Sequence, residues 1–324
     1  MNAAEKIYSV ALIGAGRIGC GFDSLESENV LTHAHAFSRN NKTKLVAIVD
    51  ADLAKGKKEA ERWGATFYAN AEDMYRKERP DIVIIATPDD THMEMLERVT
   101  ALGPKLIICE KPIVADPKNF ARAETLVGKV PTLVNFRRRF DPRVTELRDE
   151  LLAGKHGKVL SAAGIYSKGA VHTGVHMLDL AQNLFGRIQS VRPLARVADW
   201  EGEPTVGALV TLERCPQLYL VAGDERAYSI FELDILTEKK RFRFLDEGLT
   251  LATHDVINDP VYEGYRILGE QVVEKTGLNR AMENLAAHAV NVLEGREEPR
   301  ATLADALVTE RSCFSLLTAV SSSL

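Results

Sequence analysis

The stretch Val10-Ala11-Leu12-Ile13-Gly14-Ala15-Gly16-Arg17-Ile18-Gly19 narrows the possible folds of this chain more than any other. An unbroken apolar run with no polar face predicts a strand buried on both sides, and such strands belong to parallel sheets covered by helices. The run ends in G-x-G-x-x-G. Gly14 permits a tight turn, Gly16 lets the backbone approach a pyrophosphate, and Gly19 lets a following helix pack closely on the strand. Phosphate oxygens would then lie against backbone N–H groups, with Gly14, Gly16, Arg17 and Ile18 as the contact residues. Glycine-rich turns are common, so the pattern draws its meaning from its place after the first strand and before an acidic strand end.

The rest of the first half alternates. Strands are predicted at Ile7–Ile13, Leu45–Val49, Ala65–Tyr68, Asp81–Ala86, Leu106–Cys109 and Thr132–Val134. Between them fall helices at Thr32–Ser38, Leu53–Trp63, Ala71–Lys77, Thr91–Leu102 and Pro117–Val127, with Asp52 as a cap and Gly64 as a stop. Strand-helix alternation predicts an α/β, doubly wound parallel sheet. Asp50 closes the second strand, where a carboxylate can accept hydrogen bonds from an adenosine ribose and disfavours a 2′-phosphate. This favours NAD, with NADP not excluded. The separation of Gly19 from Asp50 exceeds the usual ~20 residues, which marks Phe22–Leu31 as an insertion, either a cover for the cofactor or a passive surface loop.

Ligands in such sheets lie beyond the carboxyl ends of the strands. Thr87-Pro88 with His92, and Glu110-Lys111-Pro112, sit there. Lys111 precedes a proline and is thereby held extended. Beside an oxidised nicotinamide its ammonium would meet like charge and become able to share a proton. Without the fold around it, Glu-Lys-Pro would read as a solvated turn.

At these residues the chain resembles the Gfo/Idh/MocA (glucose–fructose oxidoreductase, inositol dehydrogenase, rhizopine catabolism) oxidoreductases. The similarity runs through Gly14–Gly19, Val49-Asp50, Ala86-Thr87-Pro88 with His92, Glu110-Lys111-Pro112, Asn135 to Pro142, and Gly174-Val175-His176-Met177-Leu178-Asp179. The resemblance implies an N-terminal Rossmann domain and a C-terminal α+β domain built on an open antiparallel sheet. It implies that Lys111 and His176 lie near the nicotinamide C4 and the substrate, that His92 is on the cofactor side, and that the second domain forms homodimers or homotetramers. Many members carry an aspartate four residues before the histidine; here that position is His172, so the proton relay is altered.

Composition fits two domains: 324 residues, 45% hydrophobic, 27% charged, net charge −5. The charge leaves no nucleic-acid footprint. Four scattered cysteines without a C-x-x-C pair speak against a disulfide framework or a zinc site and fit a reducing, cytoplasmic setting. No apolar segment reaches signal or membrane-spanning type, so no membrane partner is expected. The expected domains are 1–134, 135–300, and a C-terminal helix in 301–324 that, by the resemblance, packs back near the first domain.

In the second half, Pro142–Leu152 and Gly174–Phe185 read as helices, and Lys158–Tyr166 and six runs between Ser190 and Ala252 as strands of an antiparallel sheet. Glu270–Leu293 reads as mainly helical with a break at Gly277, and Leu303–Ala319 as a final helix. His172, His176 and Asp179 fall on one helix face. Three readings stand there: proton transfer by His176 with His172 tuning it, a metal site, or hydrogen-bonded structural histidines. The first is adopted, with no metal. Arg137-Arg138-Arg139 could tie the domains together through Asp141 or other acids, or Arg138 or Arg139 could hold a substrate anion; Lys168 is a further substrate candidate.

The resulting expectation is an NAD-dependent oxidoreductase acting on a secondary hydroxyl of a small sugar, cyclitol or nucleotide sugar. A dinucleotide-binding sensor without turnover, and an enzyme that oxidises transiently and returns the hydride, are the alternatives.

Overall fold

The computed structural model describes residues 6–200 and 202–318. Two compact units emerge: residues up to Phe140 together with Asn279–Val308, and Asp141–Leu278 together with the residues from Thr309 on.

The first unit is built on strands β1 (Tyr8–Ile13), β2 (Thr43–Val49), β3 (Thr66–Tyr68), β4 (Ile82–Ile85), β5 (Leu106–Cys109) and β6 (Thr132–Val134), with helices α1 (His33–Arg39), α2 (Leu53–Trp63), α3 (Ala71–Glu78), α4 (His92–Leu102) and α5 (Phe120–Glu124) between them. The strands are parallel in the order β3-β2-β1-β4-β5-β6. This is the doubly wound dinucleotide-binding order. β4 is buried at all four positions and β5 likewise, which is why both read as unbroken apolar runs. α2 starts where Asp52 accepts from the N–H groups of Ala54 and Lys55 and stops at left-handed Gly64, as expected.

The glycine turn is followed by the expected insertion before the first helix. Only one wide helical turn, Arg17–Gly21, follows it, and α1 begins at His33 under a Thr32 cap. The intervening insertion is anchored. The Asp23 carboxylate accepts from Leu31 N, Thr32 N and Thr32 Oγ1, and lies 3.0 Å from His35 Nδ1. The Arg62 guanidinium of α2 donates to the Asp23 carbonyl.

The second unit contains α6 (Pro142–Leu152), β7 (Val159–Tyr166), α7 (Gly174–Phe185), β8 (Ile188–Trp200), β9 (Glu203–Leu212), β10 (Cys215–Ala222), β11 (Phe231–Thr237), β12 (Lys240–Leu245), β13 (Thr250–Asn258) and β14 (Arg266–Lys275). The eight strands form one sheet in the order β14-β13-β12-β11-β7-β10-β9-β8. The sheet is mixed rather than wholly antiparallel, because β7 and β10 run parallel. α7 lies close to it: a Cβ on Gly164 of β7 would stand 2.8 Å from Met177 Sδ.

Two expectations are corrected. Glu270–Lys275 is strand, not helix, because β14 pairs along β13. Every residue of β14 except the half-buried Gly269 is exposed, so no buried face announced it in the sequence. Helix α8 (Ala281–Leu293) clusters with the first unit, not with 135–300. Asn284 Nδ2 donates to Phe140 O at 2.9 Å, Lys42 Nζ pairs with Glu294 at 3.1 Å, and Val134 N donates to Ala301 O at 2.7 Å. The segment after α8 thus makes an isolated antiparallel bridge to β6, Leu133 with Thr302. Helix α9 (Leu303–Thr318) gives its first residues to the first unit and the rest to the second; the expected end at Ala319 lies outside the described residues. No described helix is long and apolar enough to cross a membrane.

Candidate active site

The predicted site residues fall in both units. In the first, Gly14 sits at φ 102°. A Cβ there would fall 2.3 Å from the Ala86 carbonyl oxygen at the end of β4, so glycine is required both for conformation and for space. A Cβ on Gly19 would stand 2.2 Å from Gly14 O, so Gly19 serves the closeness of the turn itself. Gly16 differs: a Cβ there would meet nothing within 4 Å, and its backbone faces open space. That opening suits the pyrophosphate expected at this turn. Arg17 is exposed and rests over the Phe22 ring at 4.9 Å, while Ile18 is half-buried.

Asp50 lies at the end of β2. Its Oδ2 accepts from Ala15 N at 2.7 Å and its Oδ1 from Asp52 N at 2.8 Å, so the carboxylate braces the glycine turn. Lys55 Nζ, from the first turn of α2, stands 3.0 Å from Asp50 Oδ2.

The loops after β4 and β5 are locked together. Thr87 Oγ1 accepts from Thr91 Oγ1 at 2.8 Å, and Pro88 is exposed. His92 is completely buried, with Nδ1 2.7 Å from Pro112 O and Nε2 2.8 Å from Thr87 O. Its ring therefore spaces the two loops. Glu110 Oε1 lies 2.8 Å from His33 Nε2 and 2.7 Å from Asn135 Nδ2. Burial pushes the Glu110 carboxyl up, yet His33, Asn135 and the nearby Lys111 ammonium outweigh it and hold the pKa below the usual glutamate range. Lys111 follows directly, half-buried, joined to Pro112 by a cis peptide.

The arginines part company. Arg139 is buried, 3.3 Å from Asp305, which makes it a tie within the unit. Burial lowers the Arg137 guanidinium pKa against the pull of Glu110. Arg138 is half-buried.

In the second unit a wide turn, Gly169–Thr173, precedes α7, so His172 sits before the helix and His176 within its first turn. Both histidines are half-buried; Asp179 is 1% exposed. Glu203 Oε1 accepts from the backbone N–H groups of Val171 and His172. The His172 ring stacks on Trp200 with centroids 5.3 Å apart, and Lys168 Nζ lies 4.6 Å from the centre of the same indole and 3.7 Å from Glu225 Oε1. Asp199 holds this turn: it accepts from Lys168 N, Thr205 N, Thr205 Oγ1 and Glu225 N at 2.8–3.1 Å. Burial raises its pKa, and those donors more than reverse the effect. Among the described residues no cluster of three histidine, cysteine or acidic side chains could hold a metal ion.

Sequence reasoning singled out Lys168, His172 and His176, but not their neighbours Trp200, Glu203 and Asp199. It also missed His33 and Asn135, which hold Glu110 from 77 and 25 residues away.

The strand order, the glycine turn and the acid at the end of β2 define a dinucleotide-binding Rossmann domain. Residues 8–134 match the family described as "Oxidoreductase family, NAD-binding Rossmann fold". This unit is therefore similar to the dinucleotide-binding domain of the Gfo/Idh/MocA oxidoreductases. An inositol 2-dehydrogenase of Rubrobacter xylanophilus is 29% identical over 179 residues, 54% of this chain and 48% of that protein. An inositol 2-dehydrogenase of Rhizobium meliloti is 35% identical over 150 residues, 46% of this chain and 42% of that protein. The chain thus spans about half the length of the curated relatives it matches. The solved myo-inositol dehydrogenase of Corynebacterium glutamicum overlays with a TM-score of 0.73 across 97% of this chain and 96% of that one, at 19% identity, which is a likeness of fold.

Proposed function

We propose that the protein is an NAD-dependent oxidoreductase that moves a hydride between nicotinamide and a secondary hydroxyl of a sugar, cyclitol or nucleotide sugar. The observation that carries the reading is the buried Glu110 carboxylate, clamped by His33 and Asn135, which fixes the backbone from which Lys111 springs at the carboxyl end of the dinucleotide-binding sheet. Bound NAD supplies the hydride acceptor. Lys111 would stabilise the negative charge that develops on the substrate oxygen as hydride leaves its carbon. His176 would take the hydroxyl proton, with His172 adjusting its basicity from the preceding turn. Arg138 and Lys168 remain the candidates for substrate contact, and Arg139 is reassigned to structure by its pair with Asp305. The names of the inositol 2-dehydrogenase relatives support the cyclitol end of this substrate range.

Self-association through the second unit's sheet belongs to the same proposal. Tyr219, Val221 and Leu236 are 44%, 49% and 40% exposed. Their strand registers meet on β7 at Ala163, Ile165 and Ser161, so they share one face, an apolar patch suited to a second copy.

The test is absorbance at ~340 nm, where reduced nicotinamide absorbs, with NAD and a panel headed by myo-inositol. Lys111→Ala and His176→Ala should each lower turnover by about 10²–10⁴. Full activity in both variants would refute the assignment. Dinucleotide binding without reduction of NAD by any substrate would favour a sensor.

A further inference from the structure

The geometry points to Lys55 as a reader of the cofactor's adenosine 2′-position that gives this protein substantial affinity for NADP as well as NAD. The inference rests on the dinucleotide reading above, and concerns which dinucleotides the site accepts.

Asp50 taken alone predicts strong rejection of NADP, because a 2′-phosphate would face a carboxylate at the ribose position. The structure alters that expectation in two ways. Both carboxylate oxygens are already committed to the protein: Oδ2 accepts from Ala15 N and Oδ1 from Asp52 N. In addition, Lys55 Nζ lies 3.0 Å from Oδ2. The Asp50 side chain is 8% exposed and that of Lys55 is 45% exposed, so the carboxylate is the fixed member of the pair and the ammonium the mobile one. A ligand oxygen that approached Asp50 at the ribose would come within reach of the ammonium on its flexible stem. For a ribose hydroxyl that is a modest contact. For a 2′-phosphate it is a charge-assisted hydrogen bond to a dianion, which offsets the repulsion from Asp50.

The other charged groups nearby are Asp52, which keeps its charge, and the cations Lys57 and Lys58. Asp52 spends Oδ1 capping the N–H groups of Ala54 and Lys55. Lys57 and Lys58, further along α2, are both exposed. Gly16 faces open space, so a dinucleotide pyrophosphate can reach the turn that Asp50 braces. Lys55 belongs to no part of the hydride-transfer machinery proposed above.

Isothermal titration calorimetry of the full chain with NAD and with NADP, substrate absent, tests this directly. The native protein should bind NADP within about ten-fold of NAD, and NADP binding should weaken more than NAD binding as salt is raised. Lys55→Ala should raise the ratio of the NADP to the NAD dissociation constant by about ten-fold or more, and Lys55→Glu further still. Lys55→Arg should keep the ratio near the native value. NAD binding in each variant reports a folded site. A ratio indifferent to Lys55→Ala and Lys55→Glu overturns the inference while leaving the dinucleotide reading intact. Binding of neither dinucleotide by the native protein overturns both.

Discussion

Removing the Glu110 carboxylate should destabilise the first unit more than any other single polar change near the site. In Glu110→Ala, the His33 ring and the Asn135 amide, now at 2.8 and 2.7 Å from Oε1, lose their shared acceptor in a buried setting. Hydrogen bonds to a charged group contribute about 1.5–3 kcal/mol each, and a buried donor left without its acceptor costs about 1–3 kcal/mol. A loss of about 3–5 kcal/mol follows, the range for breaking a buried charged pair by deleting one partner. In a unit of this size that lowers the midpoint of its thermal transition by about 6–20 °C. Glu110→Gln keeps the shape and one acceptor and should cost about 1–3 kcal/mol. The carboxyl is held below the ordinary glutamate range, so this contribution is full at neutral pH and is lost as the pH falls through that range. Differential scanning calorimetry of both variants at pH 7 and pH 4 is the assay. Native-like midpoints for both variants at pH 7 would refute the argument that this network fixes the Lys111 segment.

Three further outcomes are expected. Gly14→Ala places a Cβ 2.3 Å from Ala86 O at a φ of 102° and should abolish NAD binding measured by calorimetry; binding within three-fold of native would contradict the turn geometry. Burial pulls the His288 imidazole below its ordinary value of about 6.5, against the opposing Glu297, and its Nε2 accepts from Arg300 N at 3.1 Å, which needs the unprotonated ring. That stability is complete above pH 6.5 and declines as the pH drops below it, so the urea midpoint should fall more steeply between pH 7 and pH 5.5 in the native chain than in His288→Asn; equal slopes would count against it. Val221→Glu should shift the mass measured by light scattering towards the single chain without loss of NAD binding, and an unchanged mass would remove the open sheet face from the assembly.

The candidate site was legible in pieces. Gly14, Asp50, Thr87 and Lys111 announced themselves through their places at strand ends, because a strand followed by a glycine turn or an acid is a local pattern. His92 was expected on the cofactor side, and the structure shows its buried ring between the carbonyls of Thr87 and Pro112. Its two carbonyl partners are backbone groups, invisible in the identity of the residues that carry them. Arg139 offered a guanidinium for a substrate anion, and Asp305 had already taken it.

Elements whose character depends on their own residues were readable in advance. The apolar run of β4, the Asp52 cap and Gly64 stop of α2, and the bounds of α6 and α7 follow from periodicity and end chemistry within a dozen residues. Other features rest on partners far along the chain. β14 has no buried face and is a strand because β13 offers it a ladder. α8 joins the first unit because Phe140, Lys42 and Val134 supply hydrogen bonds and charge to its neighbourhood. The stacking of Trp200 on His172 and the clamp of His33 and Asn135 on Glu110 are set by packing across 25 to 77 residues, and no local rule of hydrophobic spacing carries that information.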